Sequence, residues 1–251
     1  MTTSEHGRVR VEPGQKRIRA YLGGVLVADT PTPTLVWEAP YFPTYYFPVA
    51  DVVDGVLTPT ESTLHSPSRG DARVFNVTAG GKTAVDGAAQ FAHSPFEELR
   101  ELIRLDWHAM DAWFEEDEEV FVHPRDPYTR IDVLGSSRHV EVMIDGVCVA
   151  DSHQPRILFE TGLPARYYLP LTDVRMDLLV PSDSESHCPY KGTASYWSVV
   201  IDGKVHEDVL WTYHTPIPES QKVAGLVCFY NERVDMVIDG IAQERPKTKF
   251  S

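Results

Sequence analysis

Residues 17–30, RIRAYLGGVLVADT, and residues 139–152, HVEVMIDGVCVADS, are two versions of one segment. In each, apolar and polar residues alternate up to a Gly-Gly or Asp-Gly pair and alternate again after it. That is the pattern of a β-hairpin with a two-residue loop. The two segments lie 122 residues apart, and this offset continues beyond the hairpin without a gap. Over residues 24–86, 23 of 63 aligned pairs are identical, where chance gives about 4. Glu38 falls on Glu160, Tyr45-Tyr46 on Tyr167-Tyr168, Pro48 on Pro170, Asp51 on Asp173, His65 on His187 and Gly81-Lys82 on Gly203-Lys204. The match runs on to the acidic residues 115–119, with a slip near residue 93. The chain therefore reads as two homologous domains in tandem, 8–122 and 128–241. His123-Pro124-Arg125-Asp126-Pro127 forms the linker between them.

Beyond the hairpin, short period-two runs predict strands near 34–38, 44–48, 73–78 and 88–92. Their counterparts fall near 156–160, 166–170, 195–200 and 210–214. Each copy also carries one late stretch at helical spacing. Glu97–Trp107 places Leu99, Leu102, Ile103 and Asp106 on one side, and Glu219–Tyr230 does the same with Val223, Leu226 and Val227. The expectation is a mainly β domain with one late α-helix, used twice. Two copies of one domain are expected to pack about a pseudo-twofold, as an intrachain pseudo-dimer.

Composition narrows the function classes. Hydrophobic residues make up 42% of 251 positions, and they are spread through the chain, as in a soluble globular protein. No apolar run approaches the roughly 20 residues that cross a bilayer, and Met1–Arg8 has no apolar leader core. A net charge of -14 repels nucleic-acid phosphates and anionic lipid. Neither nucleic acid nor membrane is an expected partner. Three cysteines, Cys148, Cys188 and Cys228, form no CxxC pair and suit a reducing, cytoplasmic setting. With no Cys/His set at ligand spacing, no metal is expected, and the sequence leaves the question of a cofactor open.

The second copy holds several motifs in order: Val147-x-Val149-Ala150-Asp151, Glu160-Thr161-Gly162-x-Pro164-x-Arg166-Tyr167-Tyr168-x-Pro170, His187-Cys188-Pro189-Tyr190-Lys191-Gly192, and Phe229-Tyr230-Asn231-Glu232-Arg233-Val234-Asp235. Together they resemble the domain-of-unknown-function 427 family, and the first copy looks like a degenerate member. The resemblance implies a compact β fold of the tent-like (Mss4-like) type and brings no established reaction. The family sometimes carries a nucleotidyltransferase label, but the chain has no Gly-Ser followed by the strand-borne Asp-x-Asp pair of that chemistry.

The same motifs supply the candidate site. On a strand, Arg166 and Tyr168 share one face, and Tyr167 and Leu169 share the core face. Arg166 is either a ligand-binding cation or the partner of Glu160 or Asp173. In the 187–192 segment, His187 and Lys191 form a face suited to an anionic or carbonyl group, with His187 as acid or base. Cys188 is either a nucleophile or a packing residue. Glu160 ends a strand as a general base or an arginine anchor, and Tyr190 and Trp211 can line a ligand. Two readings stay open. The first is a binding module for a small anionic or carbonyl-containing molecule, lined by Arg166, Tyr168, Tyr190 and Trp211. The second is an enzyme using Glu160 or His187 for proton transfer, with Arg166 and Lys191 stabilising an anion. Only the second copy has Arg166, Cys188, Tyr190 and Trp211. A water-accessible cavity is therefore expected there, with Arg166, His187 and Lys191 converging on it. The first copy's equivalent is expected to be blocked or less polar. The acidic run Glu115–Glu119 reads as a solvated edge.

Overall fold

The computed structural model describes residues 9–248, 250 and 251. The expectations made for Met1–Arg8, including a domain start at residue 8, and for Lys249 lie outside the described residues. The chain divides into two compact units between Asp126 and Pro127.

The first unit contains β1 (Arg10–Pro13), β2 (Ile18–Leu22), β3 (Val25–Thr30), β4 (Thr34–Trp37), β5 (Thr44–Pro48), β6 (Leu57–Ser66), β7 (Gly70–Ala79), β8 (Lys82–Gln90), β9 (Leu102–Leu105), β10 (Ala112–Glu115) and β11 (Glu118–Glu119). They form a seven-stranded sheet, β1-β4-β5-β9-β8-β7-β6, and a four-stranded sheet, β11-β10-β2-β3. The second unit contains β12 (Ile131–Gly135), β13 (Val140–Ile144), β14 (Val147–Ser152), β15 (Arg156–Glu160), β16 (Arg166–Leu169), β17 (Leu179–Cys188), β18 (Gly192–Ile201), β19 (Lys204–Thr212), β20 (Val227–Phe229), β21 (Asp235–Ile238) and β22 (Ile241–Ala242). These repeat the arrangement as β12-β15-β16-β20-β19-β18-β17 and β14-β13-β21-β22. The fold is mainly β, and the repeat in the sequence is a repeat of architecture.

Each unit buries one core between its two sheets. In the first, Ile18, Ala20 and Leu22 of β2 meet Tyr45 and Phe47 of β5 and Ile103 and Leu105 of β9. In the second, Val140, Val142 and Ile144 meet Leu169, Val199, Leu210 and Phe229. A second apolar layer covers the outer face of each large sheet. It holds Val36, Tyr46, Ala89, Phe91 and Leu99 in one unit, and Leu158, Tyr168, Trp211, Tyr213, Val223 and Cys228 in the other. The central strands are thus buried on both faces, which decides the fate of the expected helices.

Neither late α-helix forms. Glu97–Leu99 is a 3-10 turn that leads into strand β9, and Pro218–Val223 is a 3-10 turn before β20. Along β9, Leu102 packs in the outer layer while Ile103 and Leu105 enter the inner core. Along β20, Val227 and Phe229 face inward and Cys228 outward. A strand apolar on both faces has no period-two signal and imitates a helix stripe. The chain turns between the 3-10 element and β20 at Gly225, whose φ of +71° favours glycine.

Two further departures bear on the site. The edge strands β6 and β17 are long, polar and mostly exposed, so periodicity did not mark them. The acidic run is a hairpin in which Glu115 is buried, accepting hydrogen bonds from Lys16 Nζ and the Tyr45 hydroxyl, each at 2.5 Å. The solvated-edge reading therefore fails for that residue.

Candidate functional site

The candidate residues lie mainly on the outer face of the second large sheet. Directly opposed residues of antiparallel strands point to one face. Register places Tyr168 opposite Cys228, Cys228 opposite Trp211, and Trp211 opposite Tyr196. These four side chains form a row across β16, β20, β19 and β18. The Tyr168 hydroxyl accepts a hydrogen bond from Trp211 Nε1 at 3.2 Å, with the rings edge-on at 90°. The Trp211 and Tyr230 rings lie 4.5 Å apart, and the Tyr230 hydroxyl is 3.2 Å from that of Tyr196. Burial pushes the phenols of Tyr168, Tyr213 and Tyr230 up from their usual range, so all three remain neutral.

Arg166 precedes Tyr168 by two residues and shares its face. Its guanidinium forks onto Glu232, Nη1 to Oε2 at 2.6 Å and Nη2 to Oε1 at 2.7 Å, with both side chains almost fully buried. Trp211, Tyr230 and Phe250 surround it, with ring centroids 5.6, 5.9 and 5.8 Å from Cζ. The Thr248 hydroxyl donates to Glu232 Oε1 at 2.6 Å, so the segment carrying Thr248 and Phe250 straps the pair. Burial works against the Glu232 charge, but the hydrogen bonds from Arg166 and Thr248 prevail and hold its carboxyl below the usual range. The partner of Arg166 is therefore neither Glu160 nor Asp173. Asp173 accepts from the Ser152 hydroxyl at 2.7 Å instead.

Glu160 is the partner of Lys191, Nζ to Oε2 at 2.5 Å, again nearly buried. Cys228 feels both cations. Burial raises its thiol, and Arg166 and Lys191 pull it down only partly, leaving it pushed up to about 12. His187 is not gathered with these groups. It stands exposed on the edge strand β17, with Nδ1 3.0 Å from the Thr193 hydroxyl. Tyr190 is half-buried in the following turn, where its carbonyl accepts from Ser220 at 3.1 Å. A cavity of about 180 Å³ in this unit is lined by Tyr167, Asn231, Met236 and Gln243, among others, and by neither Arg166 nor Lys191. The expected convergence of Arg166, His187 and Lys191 on that cavity is not seen: edge-strand geometry carries His187 to the surface, and Arg166 and Lys191 are packed in separate ion pairs.

The first unit shows the same row with different occupants. Tyr46 opposes Arg104, Arg104 opposes Ala89, and Ala89 opposes Val74. Glu38 Oε1 accepts from Arg69 Nη1 at 2.5 Å and from the Tyr46 hydroxyl at 2.8 Å, which repeats the Glu160–Lys191 pair. Arg104 lies 3.7 Å from Glu38 and 3.6 Å from Asp106, and its buried Nε has no hydrogen-bond partner among the described residues. Beside it opens a cavity of about 150 Å³ lined by Ser62, Thr63, Asp86, Ala89, Arg104 and Asp106, among others. At the positions that match Arg166, His187 and Lys191 the first copy has Thr44, His65 and Arg69, and the cavity is lined by none of these three. Large rings fill the second copy's row and small residues leave the first copy's row open.

Sequence reading missed Glu232, although it lies in a quoted motif, and it missed Arg104. The signal for Arg104 was a lone cation inside the otherwise apolar Leu102-Ile103-Arg104-Leu105. For a metal, His139, Asp151 and His153 place ligand atoms within 4.8 Å of one another. The two imidazoles are stacked at 4.0 Å and 10°. A ligated metal lies in the plane of each ring, so these rings must turn before both can face one ion. At the matching positions the first unit has Arg17 and Asp29, joined as an ion pair.

No helix of the described residues is long and apolar enough to cross a membrane. No curated protein matches the chain. The family model described as Domain of unknown function (DUF427) matches residues 10–116 and again 132–240, once over each sheet pair. The chain belongs to that family and carries its domain twice in tandem.

Proposed function

We propose that the protein is a binding module for a small molecule bearing a carboxylate or similar anion, recognised by Arg166 in the second domain. One observation carries this reading: a nearly buried arginine ringed by Trp211, Tyr230 and Phe250, whose bidentate partner, Glu232, is itself a carboxylate. The fork geometry that Glu232 occupies is the one a ligand carboxylate would take. Ligand entry would then require the segment bearing Thr248 and Phe250 to lift and Glu232 to swing aside. Lys191 and Tyr168 would complete the polar wall, and Trp211 the aromatic one. A cytoplasmic setting accords with three free cysteines.

The enzymatic alternative draws less support. The Glu160 carboxylate is tied to Lys191, His187 is exposed at the sheet edge, and the Cys228 thiol is pushed up to about 12. No two of these are held together as a nucleophile and its base. The test is calorimetry of the full chain against a panel of small carboxylates and phosphate monoesters, with product analysis of every mixture. Binding that falls at least tenfold in Arg166→Met, with no product formed, is the expected outcome. Binding untouched by that substitution removes the reading, and turnover that depends on Glu160 establishes the alternative.

A further inference from the structure

The open cavity of the first domain occupies the place where the second domain packs three aromatic rings. Ala89 stands where Trp211 stands, and Val74 where Tyr196 stands, by strand register. Asp106 takes the place of Tyr230. The backbone N–H of Asp106 bonds to the carbonyl of Gly87 at 2.8 Å, and that of Tyr230 bonds to the matching Val209 at 2.9 Å. The rim persists in both domains: Ser62 faces Asp86 at 3.3 Å, and Ser184 faces Asp208 at 2.7 Å. Losing three rings would leave an apolar hollow, but the vacated row instead gains a guanidinium, because Arg104 stands where Cys228 stands.

We infer that this cavity is a binding site for a small zwitterion of the free α-amino-acid class. The ligand carboxylate would meet Arg104, and its ammonium group would meet Asp106 and Asp86. Arg104 lines the cavity, and its two carboxylate neighbours, Glu38 at 3.7 Å from Nε and Asp106 at 3.6 Å from Nη2, stand beyond hydrogen-bond reach. A ligand carboxylate in the cavity would give the guanidinium the charge-assisted hydrogen bonds that these two are too distant to make. Asp106 offers Oδ2, because its Oδ1 is already taken by the backbone N–H groups of His108 and Ala109. A simple anion would face two carboxylates and a chain of net charge -14, while a simple cation would face Arg104. A zwitterion matches both signs. The volume, about 150 Å³, is below the roughly 300 Å³ at which drug-sized ligand pockets begin and suits a ligand of amino-acid size. This site shares no residue with the proposed Arg166 site.

The experiment is saturation-transfer NMR on the full chain with the twenty free amino acids at neutral pH, followed by titration of each hit, its primary amide and its N-acetyl form. At least one free amino acid is expected to bind, and capping either end is expected to weaken it tenfold or more. Arg104→Gln should produce a similar loss. Ala89→Trp, which installs the residue of the second copy, should abolish binding. Each titration is repeated in the Arg166→Met background, so that carboxylate binding at the second domain's proposed site is told apart from binding here. Circular dichroism and melting of each variant establish folding, and Arg104→Gln decides the matter if Ala89→Trp does not fold. The proposal fails if no free amino acid binds at millimolar concentration, or if binding survives Arg104→Gln.

Discussion

At the scale of the residue, the buried Arg166–Glu232 fork makes a quantitative demand. Removing one member leaves an uncompensated buried charge, which costs about 3–5 kcal/mol. Glu232→Gln and Arg166→Met should each destabilise the second domain by that order in urea unfolding. The paired apolar replacement Arg166→Met with Glu232→Leu should recover most of the loss. The folded-state carboxyl of Glu232 is lowered, so its contribution is fully present above the unfolded value of about 4.3 and disappears as pH falls through the folded one. Wild-type stability should therefore drop on acidification across that window by more than Glu232→Gln does, as read by denaturation midpoints at a series of pH values. Equal slopes would remove Glu232 as the responsible group. Cys228 sets a second demand. A fully buried thiol pushed up to about 12 should ignore an aromatic disulfide reagent until the protein unfolds. Rapid labelling of Cys228 in the native state would contradict the packing described.

At the scale of the element, two hairpin tips meet in the first domain. A Cβ on Gly80 would run into the Gly23 carbonyl oxygen, and the φ of Gly80 is +54°. The second domain solves the same junction with charge: Asp145 accepts from Lys204 Nζ at 2.6 Å and lies 3.0 Å from His206 Nε2. Gly80→Ala combines backbone strain of about 1–2 kcal/mol with a backbone clash. It should therefore lower stability by about 2 kcal/mol or more, and Asp202→Ala by less, in paired thermal melts. The hairpins themselves were legible because Gly-Gly and Asp-Gly are local instructions. Strands β9 and β20 were not, since Leu102, Ile103 and Leu105 divide between two cores that only the assembled sheet creates. The faces of Arg166 and Tyr168 followed from alternation. Their partners did not, because Glu232 is 66 residues from Arg166 along the chain, and no local pattern encodes that approach.

At the scale of the whole molecule, duplication has left one scaffold with two kinds of outer face. The second domain fills its row with Tyr168, Cys228, Trp211 and Tyr196, and the first keeps Tyr46, Arg104, Ala89 and Val74. The edge strands β6 and β17 remain alike. Each is ten residues long and mostly exposed, with a proline, Pro59 or Pro181, followed by a break in register before Thr63 or Glu185. An unbroken edge of that length would offer a row of backbone donors and acceptors to any passing chain. Proline withholds a donor, the bulge throws the ladder out of step, and Asp183 and Glu185 add like charge against a second copy. The edge read in sequence as chemical ground thus bears on colloidal behaviour: it closes that side of each large sheet to further strands, and light scattering of concentrated solutions should show no fibres growing from it.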